Sequence, residues 1–201
     1  MQNLIFTQKK QSPMLISAIK HFKSTIKYMS VRKAVNIFIV IIEMLLKRTV
    51  LISHFCYLRI EVSPYCNLTC TGCLLGGANI LESNPEHRKG KIMSFELFKN
   101  SVQDFLPFLL KVNLYDEGEP LLNKKIPEMI NHLSINKVAT CVSSNFSLKL
   151  SEEYLRQLLS CGLDHLIVAV DGASQETYSK YRNGGDLTRL WPFSWRPRAL
   201  S

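Results

Sequence analysis

From residue 55 onward, short apolar stretches alternate with longer amphipathic ones. Phe55–Val62 interleaves Arg59 and Glu61 with apolar and aromatic residues, the period-two texture of a strand. Gly76–Lys91 is polar, with Asn84-Pro85 and Gly90, and predicts a loop. Ser94 opens a run carrying Phe95, Phe98, Val102, Phe105 and Leu106, a helix to about Leu110 that Pro107 bends or ends. Lys111–Tyr115 predicts a second strand, Ile126–Leu133 a helix started by Pro127, and Lys137–Ser143 a third strand. Ser151 with Glu152 and Glu153 opens a further helix that Gly162 closes. His165–Val170 predicts a fourth strand, and a helix follows from near Ser174. Strands separated by helices of this length form right-handed βαβ units in a parallel sheet, an α/β fold.

Before residue 54 the texture differs. Leu15, Ala18, Ile19, Phe22, Ile26 and Met29 recur at helical spacing with lysines between them. Ala34–Leu46 is more apolar, interrupted by Asn36 and Glu43 and ended by Lys47-Arg48. A membrane span needs about 20 mostly apolar residues, so this run is too short to cross. Two readings stay open: a helix packed against the body, or a helix lying on a membrane surface.

Charge sharpens the division. Residues 1–50 hold nine Lys/Arg and one acid, a net of +8, whereas residues 51–201 are close to neutral at +1. The organisation expected is a basic, amphipathic helical arm over residues 1–53, an α/β core over 54–188, and a tail of different texture over 189–201. A basic arm can meet an anionic membrane or nucleic acid. It has little aromatic interleaving, which argues against nucleic acid.

Six cysteines, three of them within eight residues, do not form a disulfide framework, and no secretory signal opens the chain. A reducing, cytoplasmic location is expected. Cys66, Cys70 and Cys73 then read as metal ligands or redox groups from one loop, and Cys56, Cys141 and Cys161 as buried small hydrophobes. Three thiolates are one short of a tetrahedral zinc site, which His87 would complete. A four-iron cluster held by three cysteines keeps one iron open.

In parallel sheets, functional residues gather at the carboxyl ends of the strands. The segments after the four predicted strands are Pro64–Cys73, Asp116–Pro120, Ser144–Asn145 and Asp171-Gly172. All are polar. Gly118 permits close backbone approach, and Glu119 is a carboxylate able to pair with an ammonium group. Ser144 and Asn145 suit ribose hydroxyls, and Arg182 suits a carboxylate.

Together these residues resemble the radical S-adenosylmethionine (radical SAM) superfamily, in the branch that usually carries a SPASM or twitch extension. The resemblance rests on Cys66-Asn67-Leu68-Thr69-Cys70-Thr71-Gly72-Cys73, Gly118-Glu119-Pro120, Ser144-Asn145, and Val170-Asp171-Gly172 through Arg182-Asn183-Gly184-Gly185. It implies a partial (βα) barrel, with about four of the family's six βα units present. It implies a [4Fe-4S] cluster on Cys66, Cys70 and Cys73, with S-adenosyl-L-methionine (SAM) chelating the open iron. Gly118 and Glu119 would hold the SAM amino group, Ser144 and Asn145 the ribose, and Arg182 the carboxylate. An electron from an external donor would cleave SAM to a 5′-deoxyadenosyl radical, which takes hydrogen from a peptide or small metabolite. Gly72 stands where many relatives have an aromatic residue, and Ala169 where many have serine.

The end of the chain departs from this pattern. Both tryptophans and two of the eight prolines fall in the final eleven residues, which have no helical periodicity. The expectation is a chain cut short within the barrel. Two functions compete with an active enzyme: a non-catalytic iron–sulfur fragment, and a zinc-binding interaction protein with a membrane-seeking arm.

Overall fold

The computed structural model describes Lys23 and residues 25–73 and 90–190. Helix α1 (Val31–Leu45) precedes a sheet of four strands, β1 (Tyr57–Arg59), β2 (Lys111–Asn113), β3 (Ala139–Ser144) and β4 (His165–Val168). Helix α2 (Phe95–Val102) joins β1 to β2, α3 (Ile126–Ile135) joins β2 to β3, α4 (Glu152–Ser160) joins β3 to β4, and α5 (Gln175–Tyr181) follows β4. The strands lie in chain order and pair in parallel, with Leu58 opposite Val112, Val112 opposite Thr140, and Val142 opposite Leu166. This is the partial (βα) barrel of four units.

One sheet face supplies the core. Val112, Leu114 and Val142 are fully buried with Phe98 and Val102 of α2, Met129, Ile130 and Leu133 of α3, and Leu158 of α4. Fully burying one such side chain contributes about 1.5–3 kcal/mol. Serine caps begin the helices as predicted: Ser94 Oγ accepts from Leu97 N, Ser151 Oγ from Tyr154 N, and Ser174 forms a reciprocal capping box with Thr177.

Several boundaries differ from the sequence expectation, for local reasons. The first strand spans Tyr57–Arg59; Ile60 N still donates to Asn113 O, and by Val62 the chain has left β2, its carbonyl accepting from Met93 N. Helix α2 ends at Val102, not near Leu110; beyond it the chain winds in turns, with Phe108 N and Leu109 N both donating to Phe105 O. Lys137 has a left-handed φ of 58°, so the third strand starts at Ala139. Of the three cysteines expected to be buried, Cys141 is, whereas Cys56 and Cys161 are half-buried near element ends. Most of the 14–29 pattern, most of the 76–91 loop, His87 and the tail beyond Leu190 lie outside the described residues.

Helix α1 is packed against the body, but inside out. Its buried residues are Lys33, Asn36 and Glu43, each about 3% exposed, while Val31, Val35, Phe38 and Leu45 are exposed. The buried polar groups are satisfied. Lys33 Nζ donates to Lys137 O. Asn36 exchanges two hydrogen bonds with the His54 backbone, at 2.8 and 2.9 Å. Glu43 accepts from Ile52 N at 2.6 Å and from Ser53. No helix among the described residues is long and apolar enough to cross a membrane.

Candidate functional site

The ends of the four strands converge on the cysteine loop. Ser63 Oγ and the backbone of Tyr65 turn the chain out of the sheet and into that loop. The turn after β2 docks onto this exit: Glu61 Oε2 accepts from Glu117 N at 2.7 Å and Gly118 N at 3.0 Å, and Glu119 N donates to Tyr65 O at 2.7 Å. A Cβ on Gly118 would lie 1.9 Å from Ser63 O. The close approach that Gly118 permits is thus between two strand ends.

Glu119 lies at the centre, 2% exposed. Its Oε1 accepts from Ser144 Oγ at 2.7 Å and Leu121 N at 3.0 Å, and its Oε2 from Asn145 N at 2.8 Å. Burial pushes its carboxyl above the usual range, against the pull of these three donors and of the Arg182 charge. Ser144 Oγ also accepts from Phe146 N, so its hydroxyl is engaged on both sides. Asn145 places its Nδ2 3.6 Å from Cys66 Sγ and 3.0 Å from Asn67 Oδ1, while its Oδ1 accepts from Ser147 N.

The fourth strand end closes the loop from the other side. Thr69 N donates to Asn183 O and Thr71 N to Tyr181 O, at 3.1 and 3.0 Å. Arg182, just past α5, bonds Asp171 Oδ2 through Nε at 2.6 Å and sets Nη1 3.7 Å from Cys70 Sγ. Burial works against the Arg182 charge, and Asp171 and Cys70 outweigh it and raise its pKa. A Cβ on Gly172 would strike the α5 backbone at Tyr178 N, 2.3 Å away, so glycine lets α5 dock against the end of β4.

Some residues at this end of the sheet were not singled out by sequence reasoning. Asn123, 1% exposed, donates to Val62 O and Met93 O, both at 2.9 Å, and locks the exit of β1. A lone asparagine after Leu121-Leu122 carries no sequence signal. The sheet face opposite the core gathers Tyr57, Arg59, Asn113, Tyr115 and Cys141. Asn113 Nδ2 donates to both tyrosine hydroxyls, and Asn113 Oδ1 is buried without a partner. Alternation with Val112 and Leu114 is the signal that marks this face.

Residues 60–191 match the model of the radical SAM superfamily. The chain belongs to the radical SAM superfamily. A probable GTP 3′,8-cyclase of Methanococcus maripaludis (strain C5) is 32% identical over 129 residues, 64% of this chain and 41% of the relative. That of Archaeoglobus fulgidus is 30% identical over 133 residues, 66% of this chain and 41% of the relative. The chain therefore spans about two fifths of the length of these curated relatives. Among solved structures, Streptococcus suis SuiB bound to precursor peptide SuiA aligns with a TM-score of 0.53 at 18% identity, covering 94% of this chain and 36% of that one. SuiB bound to S-adenosylmethionine gives 0.52 at 17%, covering 74% and 32%. These likenesses show the fold.

The radical SAM family uses a [4Fe-4S] cluster and SAM, and the chemistry of the cysteine loop fits them. Burial pushes the Cys66 thiol up, and the nearby charges of Glu119, Cys70 and Cys73 push it further. Thiolates there would need positive charge beside them, which an iron–sulfur cluster would supply. Asn145 and Arg182 aim N–H groups at Cys66 and Cys70 sulfurs, a means by which proteins tune iron–sulfur centres. Among the described residues no three His, Cys, Asp or Glu side chains gather around a single ion.

Proposed function

We propose that this radical SAM chain holds a [4Fe-4S] cluster on Cys66, Cys70 and Cys73, binds SAM beside it, and uses both for hydrogen abstraction. When bound, these groups would supply one-electron chemistry: reductive cleavage of SAM, with the electron from an external donor, for hydrogen abstraction from the substrate by a 5′-deoxyadenosyl radical. The observation that carries this reading is the convergence of Glu119, Asn145 and Arg182, from three separate strand ends, on one cysteine loop.

The residues divide the work. Cys70, 5% exposed, anchors the loop on its buried side, with Cys66 and Cys73 half-exposed beside it. Gly118 and Glu119 face the SAM amino group by the family pattern, Ser144 and Asn145 the ribose, and Arg182 the carboxylate. A carboxylate has about four acceptor positions. Glu119 has filled three of them within the fold, so its first effect is to hold Ser144 and Asn145 in place, with one position left for an ammonium group.

Of the two substrate classes expected, we favour a small anionic metabolite over a peptide. The GTP 3′,8-cyclases that share up to 32% identity carry a nucleotide in their name. On the polar sheet face with Tyr57, Asn113 and Tyr115, Arg59 is already paired with Asp116 at 3.1 Å, so the preference rests on those relatives.

Anaerobic reconstitution with iron and sulfide, followed by incubation with SAM and a strong reductant, tests the proposal. Release of 5′-deoxyadenosine is expected, with cluster absorbance lost in Cys66→Ser, Cys70→Ser and Cys73→Ser. A fully loaded cluster giving no 5′-deoxyadenosine supports the non-catalytic iron–sulfur reading instead. One zinc per chain and no iron supports the interaction-protein reading.

A further inference from the structure

The lower end of the sheet, opposite the cysteines, carries a surface that the chemistry of the site does not use. Among the described residues, the arm's side chains reach body residues that precede strands. Asn36 bonds His54 just before β1, Lys33 bonds Lys137 just before β3, and Lys27 pairs with Asp164 just before β4, at 3.6 Å. Helix α1 therefore lies across the amino-terminal ends of the strands, with its polar stripe inward.

Its outward stripe is apolar. Val31, Val35, Phe38, Ile42 and Leu45 follow at steps of four and three, and their exposures run from 37% to 82%. The chain that folds back against α1 extends the surface with Val50, Leu51, Ile52 and Phe55, each at least 60% exposed. The single acid of α1, Glu43, is buried on the other side, tied to Ile52 and Ser53. Cations border the patch at both ends, with exposed Lys23 and Arg32 before it and Lys47 and Arg48 after it. A cleft of about 530 Å³ at the start of α1 is lined by exposed Arg32 and by Lys27, Lys33 and Lys137, of which Lys27 is paired with Asp164 and Lys33 with the Lys137 carbonyl.

From this we infer that α1 and residues 46–55 form a docking surface for an anionic lipid bilayer, on which the protein lies with its cysteine end facing away from the membrane. An amphipathic helix with apolar and basic faces binds by burying the first among acyl chains and pairing the second with anionic headgroups. At 15 residues α1 is too short to span and long enough to lie in the interface. Charge decides against a second copy as the occupant. Two arms carrying +8 each over residues 1–50 repel, whereas an anionic surface attracts both.

Sedimentation of the full chain with vesicles tests this. Pelleting is expected with phosphatidylcholine vesicles containing phosphatidylglycerol, weakening with salt, and little with phosphatidylcholine alone. The double variant Val35→Asp/Phe38→Asp should lose affinity about tenfold or more while keeping its circular dichroism spectrum. Lys47→Glu/Arg48→Glu, which leaves the apolar stripe intact, should lose about tenfold through charge alone. Equal binding to both vesicle types, or none to either, overturns the inference. A concentration-dependent dimer without vesicle binding, abolished by Val35→Asp/Phe38→Asp, overturns it in favour of self-association.

Discussion

The two ends of this sheet each bury a carboxylate, and they treat it in opposite ways. At the cysteine end, burial raises the Glu119 pKa although three donors point at it. At the arm end, the Ser53 hydroxyl and the backbone at Ile52 and Ser53 hold the Glu43 carboxyl below its usual range. Glu119 lies deep among strand ends and gives up nearly all its hydration. Glu43 is buried too, but the hydrogen bonds from Ser53 and Ile52 outweigh the cost of its burial. The upper end is built around a group under electrostatic tension, which suits a site awaiting a cationic partner. The lower end is a relaxed polar latch with an apolar outer surface.

The largest contrast comes from sterics. Gly118→Ala drives a Cβ against Ser63 O, a backbone atom that has no room to yield. A loss of more than about 3 kcal/mol is expected from urea unfolding. Phe38→Ala, a larger deletion at the arm end, should change stability by no more than about 0.5 kcal/mol, because Phe38 is 63% exposed. A large loss for Phe38→Ala would show that its face is core and would erase the contrast.

A pH series sharpens it. The folded pKa of Glu119 is raised, so its contribution is present at acid pH and falls as pH rises through that value. The gap in urea midpoint between the wild type and Glu119→Gln should therefore widen from pH 7 toward pH 4.5. The folded pKa of Glu43 is lowered, so its contribution holds above the ordinary carboxylate range and is lost as pH falls through the depressed value. The gap to Glu43→Gln should stay constant from pH 7 to about 5 and close below that. Parallel slopes for the two variants would mean that the carboxylates share one environment.

The smallest effect is at Gly72. A Cβ there meets nothing within 4 Å, but its φ of +77° lies in the left-handed region. Gly72→Ala should cost about 1 kcal/mol of stability and leave iron loading intact.

The alternation of strands and helices, the serine caps and the cysteine loop were legible in the sequence, because each rests on local chemistry. Ser94, Ser151 and Ser174 cap because their hydroxyls reach amides three residues on. The strand-end rule also brought Glu119, Asn145 and Arg182 to the right end of the sheet. What the sequence hid was the wiring between those ends. That Glu119 is engaged by Ser144 and Asn145, and that Gly118 makes room for Ser63 O, depends on pairs far apart in the chain. The inversion of α1 was hidden too. Periodicity shows two faces but not which one turns inward, and here Asn36 and Glu43 bond a backbone segment that follows the helix.

The hydrogen bonds from Thr69 to Asn183 and from Thr71 to Tyr181 also set an order of assembly. Strands in chain order let each βα unit dock on the one before it as it forms. Tyr65 and Asn67 are held from the second and third strand ends, but the stretch from Thr69 to Thr71 is fastened by Tyr181 and Asn183, beyond the fourth. It therefore reaches its final shape last, when a loop of more than a hundred residues has closed. Before that point the three thiols hang on a slack tether, and afterwards they stand in a fitted loop. In pulse-labelled refolding, the Thr69 and Thr71 amides should gain protection together with α5 and later than the β1–β2 pairing. Protection that appears with β1 would show that the loop forms first.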